Sequence, residues 1–243
     1  MLPKIDVPIY ELKLISNDKT IRYRPFTVKE EKLFLMALES NDTESTIKTI
    51  KQVINNCILD EVDVNSLPMF DLEYIFLHLR AKSIGEEVQL KYKCNNDIVT
   101  EEEETKKCGN LVEFSFNVLE VEPIKSEKHD KKIQLSDKLG LVLKYPTFEL
   151  IEKNKDKQDV EGLISTIIGC IDYVYDENEI YYAKDTPENE LVEFVDSLQT
   201  KDLEKIKLFF DTSPKLEKRL DFKCKKCGHE EEINLQGIQN FFG

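Results

Sequence analysis

Cys94, Cys108, Cys224 and Cys227 are the residues of this chain whose type and spacing could do chemistry. Cys224 and Cys227 form a C-x-x-C-G knuckle in "FKCKKCGHEEEI", and Cys94 and Cys108 lie far earlier, in "LKYKCNNDIVTEEEETKKCGNLVEFSF". Both groups end in Cys-Gly and sit between short alternating segments that read as strands. Four thiolates from two such knuckles enclose a tetrahedral zinc ion and leave no open coordination position, as in a structural zinc ribbon. Four thiolates also suit iron. Such a closed site is not a catalyst, because activating water requires a vacant position on the metal. The plainer alternative is that Cys94 and Cys108 are unrelated thiols and only Cys224 and Cys227 form a knuckle-like turn. His229, next to the knuckle glycine, reads as a surface residue, with a supporting or substitute-ligand role as the alternative.

The elements that must position these cysteines follow from pattern. "PIYELKL" and "TIRYRPF" alternate around a turn at Asn17-Asp18, which predicts a hairpin. Thr27-Val-Lys-Glu30 is a capping box that opens a helix with Leu33, Phe34, Ala37 and Leu38 as its buried stripe. Ile47, Ile50, Val53, Ile54 and Cys57 repeat at helical spacing over about 43–58. Ser66 caps a third helix, very apolar and central to the core, that Gly85 ends. The first ribbon arm spans 86–120. Beyond it come a strand at "LGLVLKYP", helices at "TFELIEKNK" and "DVEGLISTIIGCIDYVYD", a short strand at "NEIYYA", and helices from Thr186-Pro187 and from Thr200. Residues 215–224 and 229–235 form the second ribbon arm. The insertion between Cys94 and Cys108, with its run Glu101–Glu104, reads as an acidic mobile flap, or as a contact for a basic partner.

Composition narrows the function. A net charge of −14 over 243 residues argues against a general duplex-DNA binder and against docking on anionic membranes. It fits a chain that stays soluble or meets a basic protein. No apolar run reaches the roughly 18 residues of a membrane span, and the N-terminus lacks a signal-peptide layout. The chain is therefore expected in a reducing cytoplasm, where six cysteines favour metal over disulfides. Cys57 and Cys170 fall on apolar helix faces and read as core residues.

Other chemistry is absent from the sequence. There is no G-x-S-x-G, phosphate loop, H-E-x-x-H or G-x-G-x-x-G, and only eight glycines. His78, His129 and His229 are scattered, and His78 reads as a satisfied core or interface residue. Asp71 and Glu73, two apart on a helix, face different ways. Lys225 and Lys226 offset the charge of a metal bound by four thiolates more simply than they contact nucleic acid. Arg22 and Arg24 alternate on a strand before Pro25-Phe26 leads into the capped helix. They read as a surface strand or as an edge that pairs with carboxylates on another subunit, with Phe26 and Lys29 completing the contact.

Taken together, "RYRPFTVKEEKLFLMALES" (Arg22 to Ser40), "VINNCI" (Val53 to Ile58) and "LPMFDLEYIFLHLRAKSIGE" (Leu67 to Glu86), followed by "YKC", resemble the T4-type bacteriophage baseplate protein family, over roughly residues 20–125. That resemblance implies a non-enzymatic role in contractile-tail assembly, as a component of the central hub or a factor that helps the hub form. It supplies no catalytic residues. Its implied partners are other baseplate hub proteins, with no membrane, nucleic-acid or small-molecule partner. Its implied location is the virion tail, or the host cytoplasm during assembly.

The expected fold is α+β, an N-terminal β-hairpin and helical core with a four-cysteine zinc ribbon formed by two distant segments. Residues 1–85 make the hairpin and core, 86–120 and 213–243 the ribbon arms, and 121–212 a mostly helical insertion. The expected cofactor is structural Zn2+ on Cys94, Cys108, Cys224 and Cys227. The rival functions are a zinc-ribbon adaptor in viral transcription or replication, and a hydrolase whose site the sequence hides.

Overall fold

The computed structural model describes residues 5–39, 42–99, 104–154 and 160–237. The chain is mixed α+β and divides into two compact units. One gathers Met1–Val62, Phe70–Ile124 and Lys215–Gly243; the other gathers Asp63–Met69 and Lys125–Pro214.

In the first unit, β1 (Tyr10–Lys13) and β2 (Thr20–Tyr23) form the N-terminal antiparallel hairpin, with Leu12 opposite Ile21 on its buried face. The pairing continues past β2. The Arg24 amide donates to the Cys57 carbonyl and the Leu59 amide to the Arg22 carbonyl. This ties the hairpin to the end of α2 (Thr43–Cys57), which follows α1 (Val28–Glu39). Asp42 caps α2, accepting from the Glu44 and Ser45 amides, and Ile50, Val53, Ile54 and Cys57 are fully buried along one face. Phe34 and Ala37 of α1 are buried and Leu33 half-buried; the side chain of Leu38 is outside the described set.

α3 (Met69–Ser83) is the helix on which this core is built, with Ile75, Phe76, Leu77 and Leu79 almost completely excluded from water. Leu77 and Ala81 pack with Val88 of β3 (Glu87–Lys93), the paired Phe116 of β6 (Leu111–Asn117) and Val118. Between these strands lie β4 (Asp97–Val99) and β5 (Thr105–Lys107), a two-stranded antiparallel hairpin. The cysteine-to-cysteine insertion expected as a mobile flap is thus a β-ribbon on either side of residues 100–103, which lie outside the described set. β7 (Pro123–Ile124) pairs with the start of a long C-terminal strand described below.

The second unit holds more sheet than its sequence predicts. β8 (Lys132–Gln134) and β9 (Gly140–Leu143) precede α4 (Phe148–Asn154) and α5 (Val160–Cys170). Then β10 (Ile171–Tyr175) and β11 (Ile180–Tyr182) complete an antiparallel sheet of order β11-β10-β9-β8. α6 (Glu188–Asp196) and α7 (Thr200–Thr212) follow. The segment read as one long helix through 176 changes to strand at Ile171. "IDYVY" is β-branched and aromatic, and it gains pairing partners on both sides, with β9 and β11.

β12 (Lys215–Lys223) and β13 (Glu230–Gln236) return to the first unit as an antiparallel hairpin. Leu216 and Leu235 pack in the core cluster of Leu77 and Phe116.

Candidate metal centre

Cys94 follows the last residue of β3, and Cys108 the last residue of β5. The Cys94 amide donates to the Asn110 carbonyl, the Gly109 amide to the Cys94 carbonyl, and the Cys108 amide to the Asn96 carbonyl. Two turns of the chain are thereby locked side by side. The second knuckle closes the β12–β13 hairpin, where the Cys224 amide donates to the His229 carbonyl and the Gly228 amide to the Cys224 carbonyl. Gly109 and Gly228 have φ of 67° and 74°. A side chain is disfavoured at such angles, which explains why each cysteine group ends in glycine.

The four sulfurs converge. Cys94 Sγ is 3.7 Å from Cys227 Sγ, and Cys108 Sγ is 3.7 Å from Cys224 Sγ. All four lie within 4.8 Å of one another. A tetrahedron with metal–sulfur bonds of ~2.3 Å has sulfur–sulfur edges of about 3.8 Å, so the spacing fits one four-thiolate ion. None of the six cysteines is in a disulfide. Cys94, Cys108 and Cys224 are buried and Cys227 half-buried, packed around the buried ring of Phe222. Tyr92 meets Phe222 edge-on at 5.1 Å and Phe114 lies 6.2 Å away. These rings and Ile98, Val112 and Ile233 shield the sulfurs.

Donors surround the thiols. Backbone amides of Asn96 and Asn110 point at Cys94 and Cys108, and those of Cys227 and Lys226 at Cys224. The side-chain amides of Asn96 and Asn110 reach Cys227 Sγ at 3.8 Å and Cys224 Sγ at 3.5 Å. Burial pushes the Cys94 thiol up to about 12. The Asn110 amide pulls Cys108 down, but burial together with the neighbouring Cys227 and Cys224 thiols leaves it raised. The amides of Cys227 and Lys226 hold Cys224 down at about 6. An enclosed, donor-rich sulfur cluster of this kind suits thiolates whose negative charge a cation offsets. The Lys226 ammonium is 3.3 Å from the Cys108 carbonyl, which places one of the two knuckle lysines over the centre. Asn96 and Asn110 were not singled out in the sequence. Their signal is positional, since each stands two residues after a cysteine of the first pair.

The remaining candidates lie elsewhere. His229 is 3.8 Å from the Glu231 carboxylate and 6.4 Å, ring to ring, from Phe222. His78 stacks edge-on against Tyr74 and is pushed down to about 4 by burial and by Lys82. His129 bonds Thr212 Oγ1 at 3.0 Å and the Tyr145 hydroxyl at 2.8 Å. Cys57 and Cys170 are fully buried, and burial raises their thiols to about 11 and about 12.

Arg22 makes a two-pronged contact with Asp60, Nε at 3.0 Å and a terminal nitrogen at 2.7 Å from Oδ1. Arg24 contacts Glu30, the Pro25 carbonyl and the Asn56 carbonyl. Phe26 is buried, and its amide donates to Ser83 Oγ, while Lys29 is exposed.

The family described as T4 bacteriophage base plate protein matches residues 7–243. The chain belongs to that family. No curated protein and no solved structure is matched by it. As a base plate protein the chain is a component of the virion tail, in association with other baseplate components. Its family is one of structural proteins, and no helix among the described residues is long and apolar enough to cross a membrane.

Proposed function

We propose that this base plate protein is a non-enzymatic component or assembly factor of the contractile-tail hub, acting through protein–protein contacts and stabilised by one structural zinc ion. Cys94, Cys108, Cys224 and Cys227 hold that ion. The observation that carries the reading is the convergence of four shielded sulfurs from segments 116 residues apart, at the spacing of a tetrahedral site. A four-thiolate ion has no position left for substrate, so its contribution is mechanical. It fastens the β12–β13 hairpin to the β3–β6 pair and so fixes the shape of the unit that neighbours would meet. The contact surface on this reading includes Arg22 and Lys29, with Arg24 acting through Glu30 to hold the start of α1 in place.

The test is assembly in infected cells whose only copy of the gene carries Cys108→Ser with Cys224→Ser. The proposal expects the metal to be lost and complete baseplates to fall at least several-fold while the soluble chain persists. Normal baseplates from a metal-free chain would overturn the role of the centre. Arg22→Gln with Lys29→Glu tests the contact surface separately, because both side chains are exposed and the glutamine sets no like charge against Asp60.

A further inference from the structure

β8 is an edge strand of the four-stranded sheet in the second unit. Its backbone bonds alternate in direction. The Leu143 amide donates to the Lys131 carbonyl and the Leu135 amide to the Leu139 carbonyl. Positions 131, 133 and 135 therefore face β9, while Lys132 and Gln134 turn their backbone groups to the outer edge. Two of those groups are satisfied there. The Lys132 amide donates to Asp130 Oδ1 at 2.8 Å, and the Gln134 carbonyl accepts from Lys205 Nζ at 2.7 Å. The Lys132 carbonyl and the Gln134 amide have no partner among the described residues.

This edge opens into a cleft of about 280 Å³ between β8 and α7. Ile133, Leu208 and Phe209 supply its apolar lining. Phe209 is buried and stacks on His129 at 5.2 Å and on Tyr145 at 5.5 Å, so that wall is fixed, while Leu208 is 47% exposed. The rim reverses the sign of the chain: Lys128, Lys132 and Lys205 stand against Asp130, in a protein of net charge −14. Lys205 is also held by Asp202 at 3.0 Å, and Lys132 Nζ lies 4.8 Å from the centre of the Tyr175 ring. Lys128 makes no ion pair among the described residues. The volume falls just below the ~300 Å³ at which small-molecule sites begin, which favours a single side chain and its backbone as the occupant.

We propose that this edge takes up a short extended segment of another protein, paired parallel to β8, with an acidic–apolar–acidic sequence. A carbonyl and the amide two positions later are the groups that one residue of a parallel strand engages. Its N–H meets the Lys132 carbonyl and its C=O meets the Gln134 amide. An antiparallel strand would need both groups of Lys132 or both of Gln134, and Asp130 and Lys205 already hold one of each. The docked residue stands opposite Ile133, so its side chain falls on the same face, into the apolar lining. Its two neighbours point to the face of Lys132 and Gln134, where the lysine rim selects carboxylates. Main-chain bonds supply affinity and the alternating side chains supply specificity. The cleft is separate from the four-cysteine centre and does not rest on the hub assignment.

The test uses the full-length chain and a fluorescent peptide of about eight residues, roughly 26 Å when extended, with Glu-Leu-Glu at its centre. Comparison peptides carry Lys-Leu-Lys, Glu-Ser-Glu, or Glu-Leu-Glu with the leucine nitrogen methylated, which removes the N–H meant for the Lys132 carbonyl. Anisotropy titrations should show saturable binding of the first peptide and at least about tenfold weaker binding of each of the others. Leu208→Asp and Lys128→Glu should each weaken it by about the same factor with an unchanged melting temperature, because both positions are exposed. Absence of saturable binding up to about 1 mM would overturn the proposal. Equal binding of the methylated peptide, or full binding to the Leu208→Asp chain, would overturn it by showing that charge alone attracts the probe. A concentration-dependent dimer abolished by Leu208→Asp would overturn it in favour of self-association.

Discussion

Cys108 Sγ and Cys224 Sγ lie 3.7 Å apart although 116 positions separate them in the chain. On the proposed reading, a metal held here joins two hairpins only in the folded chain, so its binding free energy adds directly to folding. Elemental analysis of purified protein should find about one zinc per chain. Cys224→Ser, or a strong chelator, should remove it. The β12–β13 hairpin should then become the first site of proteolysis, while the unit containing β8–β11 keeps its protection. Thiolate–zinc binding is worth on the order of 10 kcal/mol in small peptides, and the packed rings around Phe222 mean that only part of this appears as lost stability. A well-folded chain free of any metal, with unchanged protease resistance, would remove the centre from the account.

Glu30 provides an acid-sensitive fastening at the start of α1. Its carboxylate accepts from the Thr27 amide at 2.8 Å and from Arg24 at 3.1 Å. Burial opposes its charge, yet the Thr27 hydroxyl and amide and Arg24 hold its carboxyl down at about 2, below the ordinary 4.5. A depressed folded value means that the charged form favours the fold. The contribution is complete above about pH 4.5 and is lost as pH falls toward 2. Glu30→Gln should therefore cost roughly 1–3 kcal/mol at neutral pH. The gap between variant and parent melting temperatures should close on acidification. A gap that stays constant from pH 7 to pH 3 would contradict this.

Asp71 fixes the N-terminal hairpin to α3. It is fully buried, and its Oδ1 accepts from the Ile15 amide at 2.9 Å and the Ser16 amide at 3.3 Å. Asp71→Ala leaves both amides without this acceptor and should cost roughly 2–3 kcal/mol in urea unfolding. Asp71→Asn keeps one acceptor oxygen and should cost less. Equal losses in the two variants would mean that the hydrogen bonds are not what holds this junction.

Much of the four-cysteine cluster was legible because cysteine chemistry and the Cys-Gly turn leave local marks in sequence. The capping box at Thr27–Glu30, the face of α2 and the two ribbon arms were legible for the same reason, since each rests on neighbours within a few residues. The β4–β5 hairpin was hidden because its strands are three residues each and flank a run of glutamates that reads as loop. The change to strand at Ile171 was hidden because the apolar density of "LISTIIGCIDYVY" fits a helix and a central strand equally until the pairing partners are known. The engagement of Arg22 by Asp60 and of Arg24 by the Asn56 carbonyl depends on how the end of α2 returns to β2, which no local pattern announces.

The order of the four cysteines also matters while the chain is being made. Cys94 and Cys108 leave the ribosome as an isolated pair. At 5–20 residues per second, the 116 positions to Cys224 take roughly 6 to 23 s to synthesise. The unit containing Lys125–Pro214 emerges within that interval and can fold while its flanks are still unclipped. Translation that stops between Cys108 and Cys224 leaves two of the four thiols, too few to enclose an ion. On the proposed reading, the four-thiolate clasp can therefore form only on a chain that has been read through to Cys227.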